Sequence, residues 1–349
     1  MSPKSAVSLA VGPSRIFRTV NGAQIMEQLL SRRLDLRPFD LVATGSINAG
    51  VVGQSTTVTA QLAGDDDFYA LQASIGIIDG AAATAEGFTS RPGASPDFWE
   101  AHVDIVQDRG GRRISNSPVA LASIFGRGDR PFTYPVPWLV KAGTEIRVKL
   151  DSFSTRGTNP TRFFLVWHGV KRPKGSPPLP ALLLSEPRLI PLLSDYQRAG
   201  IHPRVEPFFY SLFIGHDNNG STTGFQPMVA EAPSFSVVSG DFACCYLMAE
   251  FFDENGDPAH VDGLGIDRSH HTVQITVNDK QPFSNKGVSL WSLFGQGRRW
   301  MKLPSPMLLS QGSRLTALVT PVQIPSAATS RWLGHLTFAG ARIYPGGLR

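Results

Sequence analysis

Residues 115–128 read SNSPVALASIFGRG, and residues 284–297 read SNKGVSLWSLFGQG. Eight of the fourteen positions are identical at a constant offset of 169, from Ser115/Ser284 and Asn116/Asn285 through Phe125/Phe294 to Gly128/Gly297. The match continues through Arg130/Arg299, Pro135/Pro304, Pro137/Pro306, Leu139/Leu308 and Gly143/Gly312, giving thirteen identities in the 32 positions from 115 to 146. Pro38-Phe39 matches Pro207-Phe208 at the same spacing, and Thr161-Arg162-Phe163 lies opposite Ser330-Arg331-Trp332. Three patches in one order at one spacing signal an internal duplication. The chain divides accordingly into an N-terminal arm (1–36), a first copy (37–172), a Pro/Leu-rich linker (173–205) and a second copy (206–349).

Within the copies the pattern is that of strands. Thr144 to Leu150 alternates polar and apolar, which turns Ile146, Val148 and Leu150 inward. Ser313 to Val319 is its counterpart. Gly143 and Gly312 suit tight turns just before these strands. Pro135, Pro137, Pro304 and Pro306 lack the N–H that a central strand needs, so they mark edges. Seven to nine short strands per copy predict an all-β chain of two tandem, homologous β-sandwiches of jelly-roll type. Short helical or extended segments are expected at the N-terminus (Ala23 to Arg33) and in the linker.

Composition narrows the function classes. Of 349 residues, 42% are hydrophobic and 17% charged, against roughly 25% charged in typical soluble domains, which points away from a coiled coil or a disordered tail. Thirty-three basic against 28 acidic residues give a net charge of +5. That is mild, and it allows only a minor nucleic-acid or acidic-surface contact through loop residues such as Arg112, Arg113, Arg127, Arg298, Arg299 and Lys302. No apolar run reaches the roughly 18 residues of a membrane span, so no membrane partner is expected. No secretion signal is read, and two cysteines cannot make a disulfide scaffold.

No nucleophile elbow, zinc-protease, phosphate-loop or dinucleotide motif occurs. Asp253, Asn255 and Asp257 flank Gly256 and have the oxygen chemistry calcium prefers, but Pro258 interrupts the loop and a hairpin turn explains the same residues. No other cofactor is expected. His260, His270 and His271 read as surface residues, and Cys244-Cys245 as two buried thiols. Trp291 stands opposite Ala122 in the first copy and is the candidate surface aromatic. With no catalytic constellation in view, the chain is expected not to be an enzyme.

The order of features within each copy resembles a module of tailed-bacteriophage virion proteins. These features are Pro38-Phe39, Ser115-Asn116, Leu121 to Gly128, Pro135 to Leu139, Ala142 to Ile146, and Phe163 to Gly169. The resemblance implies a non-enzymatic structural component of the virion, at the collar, tail or capsid surface, assembled in the host cytoplasm. Its partners would be further copies of itself and other virion proteins. Two alternatives stand beside it: a carbohydrate-binding or adhesive tandem β-sandwich, and a double jelly-roll major capsid protein. Apolar residues outside the repeat are the expected oligomer contacts, because a sandwich fills its core with its own side chains. They are Met26, Leu29 and Leu30 in the arm, and Leu182, Leu183, Leu184, Leu189, Leu192 and Leu193 in the linker.

Overall fold

The computed structural model describes residues 36–48, 54–78, 101–107, 112–127, 131–152, 160–176, 186–214, 232–252, 271–280, 283–294, 300–321 and 333–345. The first copy contributes β1 (Arg37–Asn48), β2 (Ser55–Gln61), β3 (Asp66–Ile78), β4 (Ala101–Gln107), β5 (Arg112–Arg113), β6 (Val119–Ala120), β7 (Gly126–Arg127), β8 (Phe132–Val140), β9 (Glu145–Ser152) and β10 (Pro160–Pro173). The second contributes β11 (Arg204–Ile214), β12 (Ser234–Ser236), β13 (Asp241–Phe252), β14 (His271–Val277), β15 (Val288–Ser289), β16 (Met301–Leu309), β17 (Arg314–Pro321) and β18 (Leu333–Tyr344). The fold is all-β, as the alternation predicts. In β9, Ile146, Val148 and Leu150 are buried while Glu145, Arg147 and Lys149 are exposed.

Each copy is a sandwich of two sheets. One sheet of the first copy runs β1-β10-β3-β7, with β8 also paired to β3; the other runs β2-β9-β4-β5, with β6 also on β4. The second copy repeats the scheme as β11-β18-β13-β16 and β12-β17-β14-β15. The pairings correspond one to one. Phe39 opposite Gly169 recurs as Phe208 opposite Gly340. Phe68 opposite Val140 recurs as Phe242 opposite Leu309, and Ile105 opposite Val148 as Ile275 opposite Ala317. The offset is not constant. It is 169 in β8/β16 (Val140 to Leu309), 171 in β10/β18 (Gly169 to Gly340) and 174 in β3/β13 (Phe68 to Phe242). Phe163 therefore corresponds to Gly334, not to Trp332, and the third sequence patch is not a structural equivalence.

Local physics explains what the repeat retains. Phe125 and Phe294 are buried and meet equivalent partners edge-on, Phe125 with Trp167 at 5.3 Å and Phe294 with Phe338 at 5.6 Å. Gly143 and Gly312 have φ of 76° and 88°, which L side chains seldom adopt. The prolines fall where β8 and β16 break register against their single neighbours, so no central ladder loses a donor.

The linker supplies a 3-10 turn (Pro187–Leu189) and a helix (Ile190–Arg198). Leu189 and Leu193 are fully buried among Val136 of β8 and Ala243, Cys245, Ala341 and Ile343 of the second copy. This apolar seam joins the sandwiches. Within sheet β11-β18-β13-β16, strands β11 and β18 bury residues on both faces, one in their own core and one against the first copy, through Phe209 and Ala339.

Candidate functional site

An ionic cluster at the seam centres on Glu186, and a second joins Arg112 of the first copy to Glu206 of the second, which Arg204 also pairs. Glu186 precedes the 3-10 turn, and its carboxylate accepts hydrogen bonds from Tyr246 Oη at 2.5 Å and Arg188 Nε at 2.8 Å, with Lys302 Nζ at 3.1 Å. Arg188 also donates to the Leu303 carbonyl. Burial pushes the Glu186 carboxyl up, but the three donors and the Arg188 charge outweigh it and hold it below the usual range. Burial and the adjacent carboxylate push the Tyr246 phenol up, and burial pushes the Cys245 thiol up to about 12. Three donors hold the carboxylate, so the cluster clamps the linker to β13 and β16. Cys244 and Cys245 are buried thiols, as expected.

A second polar chain crosses three strands of the first copy. His168 on β10 lies 3.0 Å through Nδ1 from Asp40 Oδ1 on β1, and 2.8 Å through Nε2 from Ser74 Oγ on β3. With Nδ1–H donating to the carboxylate, Nε2 accepts from the serine hydroxyl. The connectivity is that of an acyl-transfer triad, but the burial is reversed. The Asp40 side chain is 36% exposed, whereas His168 and Ser74 are 7% and 5% exposed. A nucleophilic hydroxyl must meet substrate while its carboxylate orients the imidazole from within. Here the chain ties β1 to β3 across β10. Reading Ser74, His168 and Asp40 together required the strand register, and no sequence motif marks them.

The outer faces of the two solvent-facing sheets differ in chemistry. On β9 and β4 the outward residues are charged and paired: Glu145 with Arg147 at 2.8 Å, Lys149 with Asp151 at 2.8 Å and Asp104 with Arg113 at 3.0 Å. Beyond the exposed Arg314, which is the counterpart of Glu145 and donates to Ser234 Oγ at 3.0 Å, the outward positions on β14 and β17 are Thr272, Gln274 and Thr276 opposite Thr320, Leu318 and Thr316. All six are at least partly exposed, and none is ionisable. Strands about 4.8 Å apart set these hydroxyls and the amide in a flat array, with Leu318 as its apolar centre.

The expected site residues distribute as follows. Leu189 and Leu193 are engaged in the intrachain seam, and Leu192 packs beside them, half-buried. Met26, Leu29, Leu30, Leu182, Leu183 and Leu184 lie outside the described residues, as do Asp253, Asn255 and Asp257 and the side chain of Trp291. His271, expected at the surface, is buried. Among the described residues there is no group of three or more His, Cys, Asp or Glu that could hold a metal, and no helix long and apolar enough to cross a membrane.

No family model and no curated protein matches the sequence. Among solved structures, the chain is similar to a peptide-N(4)-(N-acetyl-beta-D-glucosaminyl)asparagine amidase at 9% identity and a TM-score of 0.34, covering 88% of this chain and 100% of that one. It is similar to PNGF-II at 10% identity and a TM-score of 0.31, covering 87% of this chain and 66% of that one. The infectious bursal disease virus VP2 subviral particle follows at 9% identity and a TM-score of 0.17, covering 90% of this chain and 73% of that one. Two expectations are corrected here. The sequence reading expects a non-enzymatic component of a bacteriophage virion, whereas amidase and N-glycanase structures stand ahead of the infectious bursal disease virus particle among the similar structures. Neither the virion role nor the exclusion of enzymatic activity is retained. Likenesses at these scores do not assign a neighbour's activity to this chain.

Proposed function

We propose that the chain is a tandem β-sandwich that binds neutral carbohydrate on the outer face of β14 and β17. The observation that supports this reading is the uncharged hydroxyl and amide array of Thr272, Gln274, Thr276, Thr316 and Thr320 around Leu318. Hydroxyls and amides donate and accept at once, which matches the alternating donors and acceptors of sugar hydroxyls. Leu318 offers an apolar surface to the C–H face of a ring. Charge on this face is confined to Arg314 at its end, held by Ser234 Oγ, so the array itself favours a neutral ligand over a phosphorylated or uronic one. The equivalent face of the first copy, with its paired Glu145, Arg147, Lys149 and Asp151, lacks this property.

The test is a screen of the full chain against neutral and acidic oligosaccharides, followed by calorimetric titration of any ligand found. Binding of neutral glycans, lost in Gln274→Ala and Leu318→Ala and kept in a Thr57→Ala control on β2, supports the reading. Binding that survives both β14 and β17 changes, or no binding to any neutral glycan, overturns it.

A further inference from the structure

Inside the chain, the first sandwich completes the edge of the second. Phe209 N donates to the Ile114 carbonyl at 2.9 Å, and Asn116 N donates to the Phe209 carbonyl at 3.1 Å. The Asn116 side chain brackets Ser211, accepting from its N at 2.8 Å and donating to its carbonyl at 3.3 Å. Residues 114–117 thus lie as an added strand on β11, with a parallel bridge between Ser115 and Phe209. Behind this contact Phe132 packs on Phe209 and Trp300 at 5.7 and 4.7 Å, and Thr337 shares a hydrogen bond with Ser123 at 3.1 Å.

The contact has two unlike halves. The capping half is the Ser-Asn turn with Phe132, and the capped half is the edge of β11. Duplication gives both halves to both copies. In the second copy the capping half is Ser284-Asn285 with Met301, the counterparts of Ser115-Asn116 and Phe132. In the first copy the capped half is the edge of β1 around Asp40 and Val42, the counterparts of Phe209 and Ser211. Among the described residues β1 has no strand on its outer side. Exposure shows which halves are in use. Phe132 and Ser211 are each 4% exposed, whereas their counterparts Met301 and Val42 are 40% and 43% exposed. Large apolar residues stand open at both unused halves.

We infer that the 283–286 turn of one chain docks along β1 of a second copy of this chain, repeating the intrachain contact head to tail. Each chain then offers one capping and one capped surface. Contacts of this heterologous kind close into a ring where the rotation permits and otherwise extend as a filament. An unpaired strand edge carries the outward N–H and C=O groups that such pairing uses. Asp40 and His168 stand where Phe209 and Ala339 seal the intrachain contact. The contact between chains is therefore more polar than its model within the chain, and assembly depends on concentration. This inference is independent of the carbohydrate face, which lies on the opposite sheet of the second copy.

The experiment uses the full chain. Light scattering over a concentration series is expected to show masses above one chain. Val42→Pro removes an outward N–H on an edge strand, a position where proline is tolerated, and is expected to give monomers with unchanged circular dichroism; Met301→Glu is the companion variant on the other surface. Single variants Val42→Cys and Asn285→Cys are then treated with a short bis-maleimide, separately and mixed; the native Cys244 and Cys245 are buried. A cross-linked dimer that forms in the mixture and is lost when either variant is treated alone supports the inference. A wild-type chain monomeric at every concentration overturns it. So does cross-linking of Val42→Cys to itself with none in the mixture, which would mark a two-fold contact.

Discussion

The two sandwiches share a strand order and differ on one face. At equivalent positions of β1/β11, β10/β18 and β3/β13 the first copy has Asp40, His168 and Ser74, where the second has Phe209, Ala339 and Met248. In the second copy that face meets the other sandwich, and apolar side chains remove area from water. In the first copy the three positions instead form a hydrogen-bonded chain whose carboxylate reaches solvent. One fold thus carries two chemistries on the same face, chosen by what the face touches. The inward positions do not diverge in this way, because Phe125 and Phe294 serve equivalent cores.

The sharpest test of that equivalence is symmetric truncation. Phe125→Ala and Phe294→Ala are each expected to cost about 3–5 kcal/mol in denaturant unfolding. A variant that unfolds like the parent would break the correspondence for its sandwich. The seam, by contrast, has no duplicate. Glu186→Gln is expected to cost roughly 1.5–3 kcal/mol, the range for hydrogen bonds to a charged group. Its pH dependence has a definite sign. The folded Glu186 value is lowered from 4.5, so its stabilisation is full above that value and lost as pH falls through the lowered one. The acid limb of a thermal-melting profile should therefore flatten in Glu186→Gln, and an unchanged limb would remove Glu186 from the clamp.

Next in size come Gly169→Ala and Gly340→Ala. A Cβ at either position would lie 2.1 Å from a backbone carbonyl, Tyr69 in one copy and Ala243 in the other. Overpacking of this kind costs roughly 1–3 kcal/mol, and the two variants should agree in melting temperature shift. Disagreement would show that one sandwich relaxes where the other does not. The smallest effect belongs to the face that differs. Ser74→Ala is expected to cost about 1 kcal/mol, the value of one hydrogen bond. A fluorophosphonate probe should leave Ser74 unlabelled, and labelling abolished by His168→Ala would contradict its role as a cross-strand tie.

The strands and their duplication were legible because alternation and turn glycines are local. Gly143 and Gly312 needed only their neighbours to be read. The drift of the offset from 169 to 174 was not legible, since the 115–146 patch contains no insertion and the length differences fall outside it. The Asp40–His168–Ser74 chain was hidden for a related reason: its members lie 128 and 94 residues apart and meet only through the register of β10. The threonine-rich outer face of β14 and β17 was not marked, because threonine in a strand is what strand propensity alone would supply. The linker leucines were recognised as needing cover, but composition does not say whether that cover comes from the same chain. Leu189 and Leu193 find it in the seam.

The strand formed by residues 114–117 on β11 also fixes an order of events during synthesis. A ribosome releases the first sandwich, with its Ser115-Asn116 turn, before β11 has emerged. Domains fold largely as units from the N-terminus, and unpaired edges are the sites where nascent chains go astray. The second sandwich therefore meets its edge cover ready-made at the moment its first strand appears. A circular permutant opened in the linker would reverse that order and present β11 bare to neighbouring polysomes, turning an intramolecular cap into an opportunity for swapping between nascent chains.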